Sequence, residues 1–325
     1  MTKQTIKWGI IGCGNVTEVK SGPAYSLVEG FEIIAVMRRT LELAKDYAKR
    51  HHIKAYYDNA EALINNPEVD AVYIATPPDS HHFYALKVAE AGKICCIEKP
   101  MALSYSECLE VSNTFSGLNL PLFVAYYRRS LPRFNKIKSL LADKSIGEVR
   151  LINWCFSRTA SANDQSNAYN WRTDAKVAPA GYFDDLASHG LDLFIYLLGD
   201  IKQASGVSLN QQNLYTAKDA ISGSWLHDTG VLGSAYWNFG TYKHEDKVRI
   251  IGSKGEIAFS VFLEEPIELI TSSEHKVFSI NNPKHIQQFH IENMKQHLDG
   301  RITHPSTGVT ATHTAWVMDA VLGKL

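Results

Sequence analysis

In the stretch "DLASHGLD", Asp185 and His189 stand four residues apart, so on a helix they share one face, and Asp192 follows three residues later. A carboxylate beside an imidazole fixes its tautomer and raises its basicity, which a general acid/base needs. The same spacing also makes an ordinary ion pair on a helix surface. A second candidate is Lys99 in "EKP", Glu98 to Pro100, at the end of an apolar run. A cation placed there stabilises developing alkoxide charge if a substrate oxygen lies beside it. Otherwise it is a solvated loop lysine.

A third group lies near the start, in "GIIGCGNVTEVKSGP", Gly9 to Pro23. Gly12 and Gly14 hold the first two positions of G-x-G-x-x-G, and Thr17 stands where the third glycine belongs. In a nucleotide-binding loop Gly12 makes the sharp turn. Gly14 then lets backbone N–H groups at the helix start, around Asn15 and Val16, approach a pyrophosphate. A plain glycine turn has the same residues. Threonine is small enough for the third position, at some packing cost. Gly22-Pro23 falls inside the expected first helix and should shorten or kink it, leaving Lys20 either near a site or facing solvent. Further on, "AVMRRT" offers Arg38 and Arg39 and no acid, which suits a ribose 2′-phosphate and favours NADP over NAD. Two solvated arginines is the alternative.

The elements that must position these residues follow two patterns. Over the first 125 residues apolar strands ("KWGIIG", "FEIIAVM", "AYY", "DAVYIAT", "KICCIEKP", "PLFVAYY") alternate with helical stretches. That predicts a doubly wound parallel sheet, an N-terminal Rossmann domain. After Tyr127 the runs lengthen and alternate polar with apolar, from "GEVRLINWCF" through "GVLGSAYWNF" to "KVFSI". This predicts an α+β domain with a large, mostly antiparallel open sheet. "IGSKGEI" reads as a hairpin turn, and "YFDDLASHGLDLFIYLLG" as a helix ending at Gly199. The fold class is thus α/β followed by α+β, with domains 1–125 and 126–325, a C-terminal helix that could pack back on the first, and a site in the crevice between.

Composition sets limits on partners. The chain of 325 residues is 45% hydrophobic and 21% charged, with a net charge of −1 and no basic or acidic block. Nucleic acid is not an expected partner. No apolar run reaches the roughly 20 residues that span a bilayer, and the N-terminus lacks a signal-peptide pattern. Five cysteines (Cys13, Cys95, Cys96, Cys108, Cys155) without metal or redox spacing read as reduced, buried thiols of a cytoplasmic protein.

The glycine-rich first turn, "EKP" after the fifth strand and "DxxxHxxD" on a helix of a second domain, in this order, resemble the GFO/IDH/MocA family of oxidoreductases. The resemblance runs along nearly the whole chain. It implies NAD(P)-dependent oxidation of a sugar or polyol hydroxyl, or reduction of the matching carbonyl. It implies Lys99 beside the nicotinamide ribose and the substrate oxygen, His189 as the acid/base, and Asp185 orienting it or sharing the substrate hydroxyl. Thr76, Pro77 and His81 match the loop along the cofactor, Glu98 joins that cofactor set, and Trp171-Arg172 in "NWR" resembles a cofactor-contacting pair. A core role for Trp171 is the alternative. Tyr127 and Arg128 match a segment lining the site, and with Tyr169 and Arg172 they suit a sugar-like substrate. The family's Gly-Gly-Gly before the catalytic helix is Pro179-Ala180-Gly181 here. A homodimer or homotetramer through the second sheet is also implied. Two other activities fit the motifs: an NAD-dependent glycoside hydrolase or lyase, and a regulatory NADP-binding protein without catalysis.

Overall fold

The computed structural model describes residues 5–166 and 168–325. They divide into two units, one of residues 1–130 with 283–312, the other of 131–282 with 313–325. The division differs from the expected boundary at residue 125. It falls five residues later, and a segment near the C-terminus belongs to the first unit.

In the first unit the chain alternates as its periodicity predicts. β1 (Ile6–Ile11), α1 (Asn15–Val19) and α2 (Gly22–Leu27) lead to β2 (Phe31–Met37) and α3 (Leu41–Arg50). β3 (Ala55–Tyr57), α4 (Ala60–Ile64), β4 (Ala71–Ile74) and α5 (His81–Glu90) follow. β5 (Ile94–Ile97), α6 (Tyr105–Gly117) and β6 (Leu122–Val124) complete the sheet, whose order is β3-β2-β1-β4-β5-β6 with all pairs parallel. Every residue of β4 is buried, which is why its sequence is continuously apolar. Ser104 accepts from the Glu107 N–H and so starts α6 as a cap.

The second unit opens with α7 (Pro132–Ala142), β7 (Val149–Ser157), α8 (Ala162–Gln165) and α9 (Ser188–Leu198). Seven strands follow: β8 (Ile201–Leu209), β9 (Ala220–His227), β10 (Leu232–Asn238), β11 (Glu245–Gly252), β12 (Gly255–Phe259), β13 (Ile267–Thr271) and β14 (His275–Phe278). The sheet order is β14-β13-β12-β11-β7-β10-β9-β8. Among the described residues of this sheet only β7 and β10 pair in parallel. Ser253-Lys254 turns the β11–β12 hairpin, as "IGSKGEI" predicts. Alternation along the strands buries Ile152, Trp154, Phe156, Trp225, Trp237, Val248 and Ile250 on one face. Trp154 meets Trp237 and Phe194 edge-on, at 5.7 and 5.5 Å, beneath α9. Two helices close the chain: α10 (Gln288–Leu298) in the first unit, and α11 (Gly308–Val321), which starts in the first and ends in the second.

Candidate active site

The expected functional residues form two groups, one in each unit. In the first unit the chain leaves β1 through Gly12, whose φ of +91° is strained for any other residue. A Cβ on Gly12 would also lie 2.8–2.9 Å from Ala75 and Thr76. The Gly12 and Cys13 N–H groups both donate to the Met37 carbonyl at the end of β2, which fixes the loop beside Arg38. Arg38 and Arg39 are exposed there. Cys13 is buried, and burial pushes its thiol up to about 11.

Gly14 differs from Gly12. Its φ of −153° is open to any residue, and an added Cβ would meet only the Gly12 carbonyl at 3.8 Å. The protein leaves space above this residue, next to the first N–H groups of α1 at Asn15 and Val16. Those groups have no carbonyl one turn back to accept them. Thr17 is more than a tolerated replacement for glycine. Its buried hydroxyl accepts from the Gly14 N–H and donates to the Gly14 carbonyl, both at 2.9 Å. The Gly14 N–H is therefore committed inside the loop, and the groups left to face a ligand begin at Asn15.

The Gly22-Pro23 pair does not break one long helix. α1 stops at Val19, and α2 starts afresh with Pro23 in its first turn, where a missing N–H costs nothing. Gly22 is needed because a Cβ would lie 2.2 Å from the Thr17 carbonyl, the same carbonyl that accepts from the Tyr47 hydroxyl. Glu18 pairs with Arg50 at the end of α3 and with His51 just beyond it, and the Arg50 guanidinium holds its carboxyl below the usual range. Lys20 is exposed.

At the carboxyl ends of β4 and β5 lie Thr76-Pro77 and Glu98-Lys99. Lys99 is half-buried. His81 and Glu98, both expected along a cofactor, are turned inward. His81 is wholly buried, with Nδ1 2.8 Å from the Pro100 carbonyl and Nε2 2.8 Å from the Thr76 carbonyl. Burial pushes its pKa down. Both ring nitrogens face backbone carbonyls of the two turns, so neither is turned toward a ligand. Glu98 Oε1 accepts from Tyr73 and from Gln287, each at 2.6 Å. Tyr127 and Arg128 follow β6 in a short 3₁₀ turn and are buried, the guanidinium 5.0 Å from the Tyr127 ring centre.

In the second unit the predicted single helix is two pieces. Phe183–Ala187 winds as a π-helix and continues into α9 at Ser188, an interruption often found at functional sites. His189 sits in the first turn of α9, 5% exposed, with its ring edge-on to Phe262. Gly190 explains its placement: a Cβ there would lie 2.2 Å from the Trp154 ring, so the helix seats directly on the sheet. Asp192 is fully buried and accepts from Thr314 of α11.

Asp185 Oδ2 accepts from Arg172 Nε at 2.6 Å, and the guanidinium lies 4.2 Å from the Trp171 ring centre. The fold thus joins "NWR" to the carboxylate of "DxxxH". Tyr169 is 79% exposed. Of Pro179-Ala180-Gly181 only Gly181 has a positive φ, and its Cβ would strike the Lys218 carbonyl, so this turn needs a single glycine. The Ala180 N–H donates to Asp184, a residue the spacing did not single out. Burial outweighs that hydrogen bond and raises Asp184 to about 6.

All five cysteines are free thiols, but Cys155 is half-buried and donates to Asn153, unlike the buried thiol expected. No helix among the described residues is long and apolar enough to cross a membrane.

A glycine turn between the first strand of a parallel sheet and a helix suits a dinucleotide, and comparison with known proteins gives the class, an oxidoreductase. Residues 6–126 match the model of the oxidoreductase family with an NAD-binding Rossmann fold, and 134–258 match the GFO/IDH/MocA C-terminal domain. Oxidoreductase P35 of Formosa agariphila is 37% identical over 319 residues, 98% of each chain. The trans-1,2-dihydrobenzene-1,2-diol dehydrogenase of Sus scrofa is 25% identical, over 85% of this chain and 80% of that protein. The crystal structure of levoglucosan dehydrogenase with NADH and L-sorbose shares the fold, with a TM-score of 0.87 at 20% identity, covering 99% of this chain and 96% of that one. This chain belongs to the GFO/IDH/MocA family of oxidoreductases.

Proposed function

We propose that this oxidoreductase oxidises a hydroxyl of a sugar, polyol or related carbohydrate derivative, or reduces the matching carbonyl, with NADP preferred to NAD. The observation that carries the cofactor reading is the contrast between two glycines. The fold requires Gly12, whereas nothing within the protein requires Gly14, and the space left there suits a phosphate approaching the Asn15 and Val16 N–H groups. Arg38, exposed at the end of β2 in the stretch "AVMRRT", which holds no acid, suits a 2′-phosphate.

When bound, the nicotinamide supplies the hydride acceptor or donor. His189 takes the hydroxyl proton during oxidation and returns it during reduction. Lys99 stabilises the charge that develops on the substrate oxygen. Asp185, held by Arg172, orients His189 or shares the substrate hydroxyl, and Tyr127 and Arg128 contribute to the substrate side. Exposed Tyr169 adds a contact on its loop. Val207, Leu209, Leu232 and Tyr236 are exposed on the outward face of the second sheet, which supports a homodimer or homotetramer formed there. We place the working enzyme in the cytoplasm.

Tryptophan-fluorescence titration with NADPH and NADH, followed by a sugar and polyol panel with the preferred cofactor, tests the reading. Tighter NADPH binding and turnover on a carbohydrate are expected. A clear NADH preference would overturn the role of Arg38. Product release without net change in nicotinamide absorbance would favour glycoside cleavage, and binding without any turnover a regulatory protein.

A further inference from the structure

Tyr73 is fully buried in the middle of β4, an apolar strand with no structural need for a hydroxyl. That hydroxyl lies 2.6 Å from Glu98 Oε1 and 3.1 Å from Ser21 Oγ. The phenol donates its one proton to Glu98, the shorter of the two contacts, and the neighbouring Ser21 hydroxyl also reaches the Val16 carbonyl at 3.4 Å. Ser21 occupies the break between α1 and α2.

Gln287, 1% exposed, donates from Nε2 to the same Glu98 oxygen at 2.6 Å. Its backbone N–H reaches the Lys20 carbonyl, and His285 Nδ1 stands 2.8 Å from the Val19 carbonyl. These carbonyls belong to the last residue of α1 and to the residue that caps it, where the helix leaves carbonyls without donors. On its other side Glu98 Oε2 accepts from the Lys99 N–H at 3.3 Å. The glycine loop's helix and the Lys99 turn are therefore connected through one buried carboxylate.

We infer that Tyr73 and Gln287 are positioning residues, holding Glu98 so that the dinucleotide loop and the Lys99 turn keep one fixed geometry. The inference rests on the cofactor reading of residues 12–16 and on the proposed role of Lys99.

The test is an NADPH titration by tryptophan fluorescence on wild type, Tyr73→Phe, Gln287→Leu and the double variant, with thermal unfolding in parallel. Each single variant should weaken NADPH binding about tenfold, the scale of one hydrogen bond to a charged group. The double variant should lose little more than either alone, because both act through Glu98. With a turnover substrate, kcat should fall at unchanged substrate KM, and its pH profile should shift. If Tyr73→Phe does not fold, Gln287→Leu and the milder Ser21→Ala carry the same expectation. Wild-type affinity in the folded variants, or losses that multiply, would overturn the inference while leaving the cofactor reading intact. Failure of the wild type to bind either dinucleotide would overturn that reading, and the inference with it. Full turnover in Lys99→Ala would remove the catalytic half and leave the NADPH result to decide the rest.

Discussion

The glycine loop of the first unit and the helix carrying His189 in the second are held by opposite means. The loop is tied by hydrogen bonds: Gly12 and Cys13 to Met37, Thr17 to Gly14, Tyr47 to Thr17. It keeps open space at Gly14. The helix is held by contact, with Gly190 flat against Trp154 in an aromatic core and no room for a methyl group. Glycine therefore means different things in the two places. In the loop one glycine stands beside open space; on the helix the glycine lets the backbone sit against a tryptophan ring.

The comparison breaks most visibly at the chemical groups. His189→Ala and Lys99→Ala should each lose about 100-fold or more in turnover, with circular dichroism and melting temperature nearly unchanged. Near-normal turnover in either would remove that residue from the mechanism. Next in size is a matched pair of glycine replacements. Gly190→Ala should destabilise the fold by about 3 kcal/mol, measured by urea unfolding, because the Trp154 ring is locked in place. Gly14→Ala should change stability by less than about 0.5 kcal/mol yet weaken NADPH binding. Equal stability losses in the two would erase the distinction drawn here.

Arg38→Ala should sharpen the loop's side of the comparison, lowering NADPH affinity about tenfold while leaving NADH affinity nearly constant. The smallest effect belongs to Asp184. Its pKa in the folded protein, about 6, lies above the ordinary 3.8. A raised acid contributes stability that is fully present below pH 3.8 and is lost as pH rises through 6. Asp184→Asn, neutral at every pH, should therefore gain about 1–3 kcal/mol over wild type at pH 7.5 and almost nothing at pH 4. Melting curves at both pH values decide this, and an equal difference at each would show that the carboxyl's charge is not the cause.

The sequence made the parallel sheet legible because strands buried on both faces read as continuous apolar runs, and the second sheet legible because one-sided burial alternates. Residues whose work depends on near neighbours, such as Gly12, Ser104 and Gly199, could be read the same way. The work of Thr17 is not legible from glycine spacing, which judges the position by size, whereas its hydroxyl ties the loop at Gly14. Tyr73 left a signal, as the one polar-headed side chain in "AVYI". Gln287 left none: it meets Glu98 across 189 residues of chain, beyond any local pattern. The π-turn before His189 was hidden for a related reason, since Asp185 and His189 share a face in either kind of helix.

The return of residues 283–312 to the first unit sets an order of assembly during synthesis. The ribosome completes β6 long before it makes Thr307, the residue that bridges Phe123, or Ser306, which donates to the Val124 carbonyl. Until then one edge of the parallel sheet is uncovered and Glu98 lacks Gln287, while the whole second sheet is made in the interval. The first unit is thus closed by residues that follow all eight strands of the second sheet in the chain, so its edge strand β6 stays exposed for the whole synthesis of that sheet.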